Sequence, residues 1–85
     1  GPPPGTLSYL RDLPPDHHAV KYLKERGYSV EELDHDWQLM YCDNASPEYK
    51  MAEHRIIIPI IQEGMWVGWQ ARYVGDINFK QFRIP

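Results

Sequence analysis

Arg55-Ile-Ile-Ile-Pro-Ile-Ile-Gln-Glu-Gly-Met-Trp-Val-Gly-Trp-Gln-Ala-Arg72 is the stretch on which the fold turns. Ile56 to Ile61 is dense in β-branched side chains, which favour the pleated backbone of a strand. Pro59 cannot donate to a ladder, so this strand must have an edge or a bulge there. Gln62-Glu-Gly-Met65 carries the turn chemistry of a hairpin, and Trp66 to Val74 returns as a second strand. Strict alternation then puts Val67, Trp69, Ala71 and Tyr73 on one face, read as core, and Trp66, Gly68, Gln70, Arg72 and Val74 on the other. Gly75-Asp76 makes a further turn, and Ile77 to Ile84 is read as a third strand.

Upstream the pattern changes to helical punctuation. Asp16 stands as an N-cap before a helix over His17 to Arg26, which Gly27 stops. Its apolar face is Ala19, Val20 and Leu23, with Tyr22 nearby. Ser29-Val-Glu-Glu32 has the spacing of a capping box and opens a second, shorter helix that buries Val30, Leu33 and Trp37. A short strand around Leu39 and Tyr41 and a turn over Asp43 to Pro47 follow. Residues 1–15, with five prolines, read as a flexible lead-in, since proline lacks the donor that helices and ladders need. The expected architecture is α+β: two short helices packed on a small antiparallel sheet made of a hairpin plus a third strand, one domain over residues 16–85.

Eighty-five residues allow one small domain, which buries about 60% of its unfolded surface. A hydrophobic share of 42% with charges of both signs excludes a disordered chain. The longest apolar run, Ile56 to Ile61, is far too short to cross a bilayer, so no membrane partner is expected. The lone Cys42 has no internal partner for a disulfide, which suits a reducing, cytoplasmic setting. Net charge is −3, yet it is unevenly spread: residues 1–49 hold nine acidic against four basic groups, and residues 50–85 hold five basic against three acidic. The second half is the one able to face a polyanion.

The order Tyr22-Leu-Lys-Glu-Arg-Gly-Tyr-Ser29, an aromatic strand, the Arg55–Arg72 hairpin and then Lys80-Gln-Phe-Arg-Ile-Pro85 resembles the DnaG-type primases of bacteria and phages over residues 19–85. In that family a YLxxRGLS helix pair precedes an RxxFPIxDxxGxxxGFxGR hairpin and a PKYxNxP stretch. Ile58, Gln62, Gln81 and Met40 depart from the family's Phe, Asp, Tyr and Gly. The resemblance implies the N-terminal subdomain of the polymerase core, the piece before the TOPRIM domain. It implies a fragment of a nucleotidyltransferase that is inactive alone, holds no cofactor itself, and relies on magnesium bound in the adjoining TOPRIM domain. Its implied partners are single-stranded DNA or an RNA–DNA hybrid, together with the rest of a primase or a replicative helicase.

Arg55, Arg72 and Lys80 occupy basic positions of the family pattern and are carried over as template contacts, with Arg83 beside them. An arginine fork suits phosphate, and an exposed aromatic stacks an unpaired base for about 1–3 kcal/mol. Trp66, on the face assigned to Arg72, is the expected stacking residue. The plainer account of that face is a solvated sheet surface. His17, His18, His35 and His54 with Cys42 fit no zinc spacing; the histidines read as solvated or capping groups and Cys42 as a buried small hydrophobe. Glu31, Glu32, Asp34 and Asp36 read as a solvated helix face, or, in a rival reading without nucleic acid, as the acidic side of a protein-interaction module.

Overall fold

The computed structural model describes residues 2–76. Four antiparallel strands lie in the order β1 (Gly5–Tyr9), β2 (Met40–Ala45), β3 (Ile56–Gln62) and β4 (Met65–Arg72). Two helices, α1 (His18–Glu25) and α2 (Val30–Trp37), are inserted between β1 and β2. Short 3-10 turns at Leu10–Asp12, Pro47–Ala52 and Val74–Asp76 complete the described residues. The α+β class is therefore as expected. No helix among the described residues is long and apolar enough to cross a membrane.

Local chemistry accounts for the helix ends. Ser29 Oγ accepts the Glu32 N–H at 3.3 Å and so satisfies one orphan donor of α2. At the end of α1, Gly27 has φ +85°, and the N–H groups of Gly27 and Tyr28 donate back to Lys24 and Leu23 at 3.0 and 2.9 Å. That pairing is a Schellman stop, which needs a left-handed residue where it turns. Asp16 is not the cap of α1. His17 is, its Nδ1 accepting the Ala19 N–H at 3.1 Å.

The lead-in assignment is also corrected. Within residues 1–15 the chain forms β1, paired with β2 from Gly5 opposite Ala45 to Tyr9 opposite Met40. Leu10 follows and is 1% exposed in the core. Pairing with a strand distant in sequence supplies the donors and acceptors that a local reading of Pro2-Pro3-Pro4 does not reveal. Arg11 then ties this turn to α2 through Asp34 at 2.8 and 3.0 Å.

The sheet carries apolar side chains on both faces. Beneath the helices, Ala19, Val20 and Leu23 of α1 and Val30 and Leu33 of α2 close on Tyr41, Ile56 and Ile58. On the other face Met40, Cys42, Ile57 and Ala71 pack with Ala45 and Ala52, flanked by Leu7, Tyr9, Trp66 and Trp69. Ladder pairing of β2 with β3 covers only Met40 opposite Ile57 and Tyr41 opposite Ile56. Pro59 thus lies beyond the end of that ladder, where its missing donor costs least.

The β3–β4 register runs regularly from Ile56 opposite Arg72 to Ile60 opposite Gly68, then shifts, with Ile61 opposite Trp66. Val67 is the extra residue of this bulge, and an extra residue reverses the alternation beyond it. Trp66 consequently joins Trp69 and Ala71 on one face, and Val67 is 44% exposed. Tyr73, also expected in the core, is 57% exposed. A third strand over Ile77 to Ile84 lies outside the described residues.

Candidate nucleic-acid interface

The two arginines that bracket the hairpin meet at one end of the sheet but on opposite faces. Arg72 stands opposite Ile56, which is wholly buried under the helices. Arg55, one residue before Ile56, alternates to the other face, and its carbonyl accepts the N–H of Cys42, which packs on that face, at 3.0 Å. There the Arg55 guanidinium lies 3.7 Å from the centre of the Tyr73 ring. Stacking of this kind suits a planar, weakly hydrated cation. The Nε of Arg55 is buried and has no hydrogen-bond partner among the described residues. Arg72 Nη2 donates to Gln70 Oε1 at 3.2 Å, and both residues follow the helix-side face.

Trp66 does not share the face of Arg72. The bulge at Val67 turns it to the other side, half-buried beside Trp69 and Ala71, so the expected stacking partner of Arg72 is corrected. Among the described residues, the exposed aromatic at this end of the sheet is Tyr73. Lys80 and Arg83 lie outside the described residues.

A second group gathers beside this end, and no spacing in the sequence announces it. Tyr41, 4% exposed, points its hydroxyl to His18 Nε2 at 2.7 Å. His17 stacks on His18 at 4.7 Å and meets Tyr41 edge-on at 4.6 Å. His54 lies nearly parallel to the Tyr41 ring, 6.3 Å away. The backbone holds His54 there in a left-handed turn, φ +62°, with its N–H donating to the Cys42 carbonyl at 2.8 Å. Asp43, two residues beyond Tyr41 on β2, accepts from Ser8 Oγ at 2.5 Å. The adjacent His17-His18 pair is the one visible signal, and nothing in it points to Tyr41 or His54. Among the described residues, no group of three or more His, Cys, Asp or Glu side chains could hold a metal ion. Burial pushes the Cys42 thiol up.

The cluster has a definite electrostatic bias. Burial holds the His17 imidazole below its ordinary pKa, and the neighbouring His18 lowers it further, against opposing pulls from Asp43 and Asp16. Burial raises the Tyr41 phenol, with Asp43 adding to it. The cap itself needs an unprotonated Nδ1 on His17. Below the free imidazole value of about 6.5 the unfolded chain binds a proton that the folded chain resists, so stability drops as pH falls, until the folded His17 also titrates. Urea unfolding at pH 7.5 and 5.5 should show this loss. In His17→Asn, which caps without titrating, the acid-dependent part should shrink; an unchanged pH dependence would contradict it.

Compared with known proteins, the chain matches no family model, no curated protein and no solved structure.

Proposed function

We propose that this chain serves as the N-terminal subdomain of a DnaG-type primase core, where it holds single-stranded DNA template while a metal-bearing neighbour builds the RNA primer. The observation that carries the reading is the stack of Arg55 on Tyr73, with 3.7 Å between guanidinium and ring centre, at the open end of the β3–β4 hairpin. A stacked guanidinium keeps its in-plane N–H groups for phosphate oxygens, and the free face of an exposed tyrosine accepts a base. The order of two helices, an aromatic-bearing strand and a hairpin also agrees with the subdomain implied by the resemblance. In this role the chain contributes placement and charge, and catalysis belongs to the magnesium site of the adjoining TOPRIM domain. Its partners are the template or primer hybrid, the rest of the primase and the replicative helicase, in the cytoplasm. Alone it makes no primer.

Fluorescence anisotropy of labelled oligothymidine at two or more salt concentrations tests this. Arg55→Ala and Arg72→Ala should each flatten the slope of log affinity against log salt by about 0.7, the share of one phosphate on a single strand. Tyr73→Ala should weaken binding by about 1–3 kcal/mol with little change in that slope. A folded chain that binds no oligonucleotide at low salt would overturn the template reading. The acidic face of α2, where Glu31, Glu32 and Asp36 are exposed, would then be the place to look for a basic protein partner.

A further inference from the structure

The sheet face away from the helices carries an aromatic pair to which the chain's own start is bonded. Trp69 on β4 stands with Tyr49 edge-on to it, ring centres 5.3 Å apart and planes at 85°. The chain's own Pro2 reaches this pair on its Trp69 side. The Trp69 indole N–H donates to the Pro2 carbonyl at 2.9 Å. The hold on the Pro2-Pro3-Pro4 strap is graded. Pro4 is fully buried, and its carbonyl accepts both the Ser46 N–H at 2.8 Å and Ser46 Oγ at 3.0 Å. Pro2 and Pro3 are exposed, with the indole hydrogen bond as the polar contact shown for them among the described residues. The root of the strap is thus part of the fold, and its tip lies on the surface.

That tip has the chemistry of polyproline recognition. A run of prolines has fixed φ, excludes the helical region for each residue before a proline, and settles into an extended left-handed helix. Its carbonyls are strong acceptors with no N–H competing for them. An aromatic pair offering one indole donor complements such a chain, and little conformational entropy is lost when it docks. We infer that the Trp69–Tyr49 pair is a docking site for a proline-rich segment of a partner protein, and that Pro2 and Pro3 occupy it in cis.

A tethered occupant competes at an effective concentration near millimolar, so an added peptide gains the site readily only when the strap is loosened. The test uses the full 85-residue chain and its Pro2→Gly/Pro3→Gly variant, each labelled with nitrogen-15. Both are titrated with acetylated decaproline and, separately, with a Gly-Ser peptide of equal length. Decaproline should shift the Trp69 indole resonance saturably, with at least a tenfold tighter apparent Kd in the variant. Gly-Ser should not move it. Trp69→Phe in the loosened chain keeps a ring but removes the donor, and it should abolish the response seen at the backbone amides of residues 49 and 69. Should Trp69→Phe fail to fold, Tyr49→Ala in the loosened chain replaces it and should weaken binding at least fivefold. An unmoved Trp69 resonance in both chains overturns the site, as does an equal response to Gly-Ser. Equal affinity in the two chains overturns the cis occupancy.

Discussion

Gly5→Ala should destabilise the domain by about 2–4 kcal/mol and lower its melting temperature by roughly 10–25 °C, the scale for strain plus a clash in a domain of this size. Gly5 has φ +150°, a backbone that L side chains rarely adopt. A Cβ placed there would lie on top of the Asn44 carbonyl oxygen, 2.8 Å from Ala45 Cα and 2.9 Å from Ser46 N. All three are backbone atoms, so no rotamer change relieves the overlap. Either β1 leaves β2 at its first residue, or the Ser46 clamp on the Pro4 carbonyl opens. Gly68→Ala is the matched control, because its Cβ would meet only the mobile end of Ile60 at 3.7 Å. It should stay within about 0.5 kcal/mol of the parent. Hydrogen exchange should locate the damage of Gly5→Ala at the β1 and β2 amides, with the β3–β4 ladder less affected. Equal stability of the two alanine variants would show that the close approach at Gly5 has no energetic weight.

Gly5 also marks where local sequence stops determining structure. Helix ends are written locally, and Ser29 and Gly27 act as their residue types predict. Strand β1 has no such signature. Five residues beside three prolines owe their order to pairing with a strand that lies beyond both helices, and no window of neighbours contains that information. Alternation along β4 was legible, but the position of its extra residue was not. Pro59 announced an irregularity on β3, but the extra residue is Val67 on β4, opposite the step from Ile60 to Ile61, which sends Trp66 to the opposite face from Arg72. For the candidate site, Arg55 and Arg72 were legible as residue types. Their separation onto two faces, and the exposure of Tyr73 beside Arg55, needed the register. The imidazoles around Tyr41 come from the start of α1 and the turn before β3, which only the closed sheet brings together.

Ile56→Ala should cost about 2–5 kcal/mol, and the milder Ile56→Val about 1 kcal/mol, the usual scale for truncating a core side chain that nothing nearby can replace. Ile56 has no exposed surface. Tyr41 lies opposite it on β2, Arg72 lies opposite it on β4, and α1 closes over it with Ala19, Val20 and Leu23. A chain of this length holds only on the order of 10 kcal/mol in all. The alanine variant should therefore lose a large share of its stability and show a lower urea midpoint with a similar slope. The functional consequence follows from the same geometry. Truncation beside Tyr41 leaves room for its ring to shift toward the gap, which lengthens the bond from its hydroxyl to His18, 2.7 Å in the intact chain. On the other flank Arg72 loses the full side chain of its cross-strand neighbour, whereas the Arg55–Tyr73 stack does not involve Ile56. Under conditions where Ile56→Ala remains folded, oligonucleotide binding through Arg55 should therefore persist while the contribution of Arg72 weakens. Combining Ile56→Ala with Arg72→Ala should then lower affinity by less than the two single effects added together, as expected for neighbours that share one contact. Full additivity would mean that Arg72 is placed by its own strand and Gln70 alone, with the core beneath it playing no part.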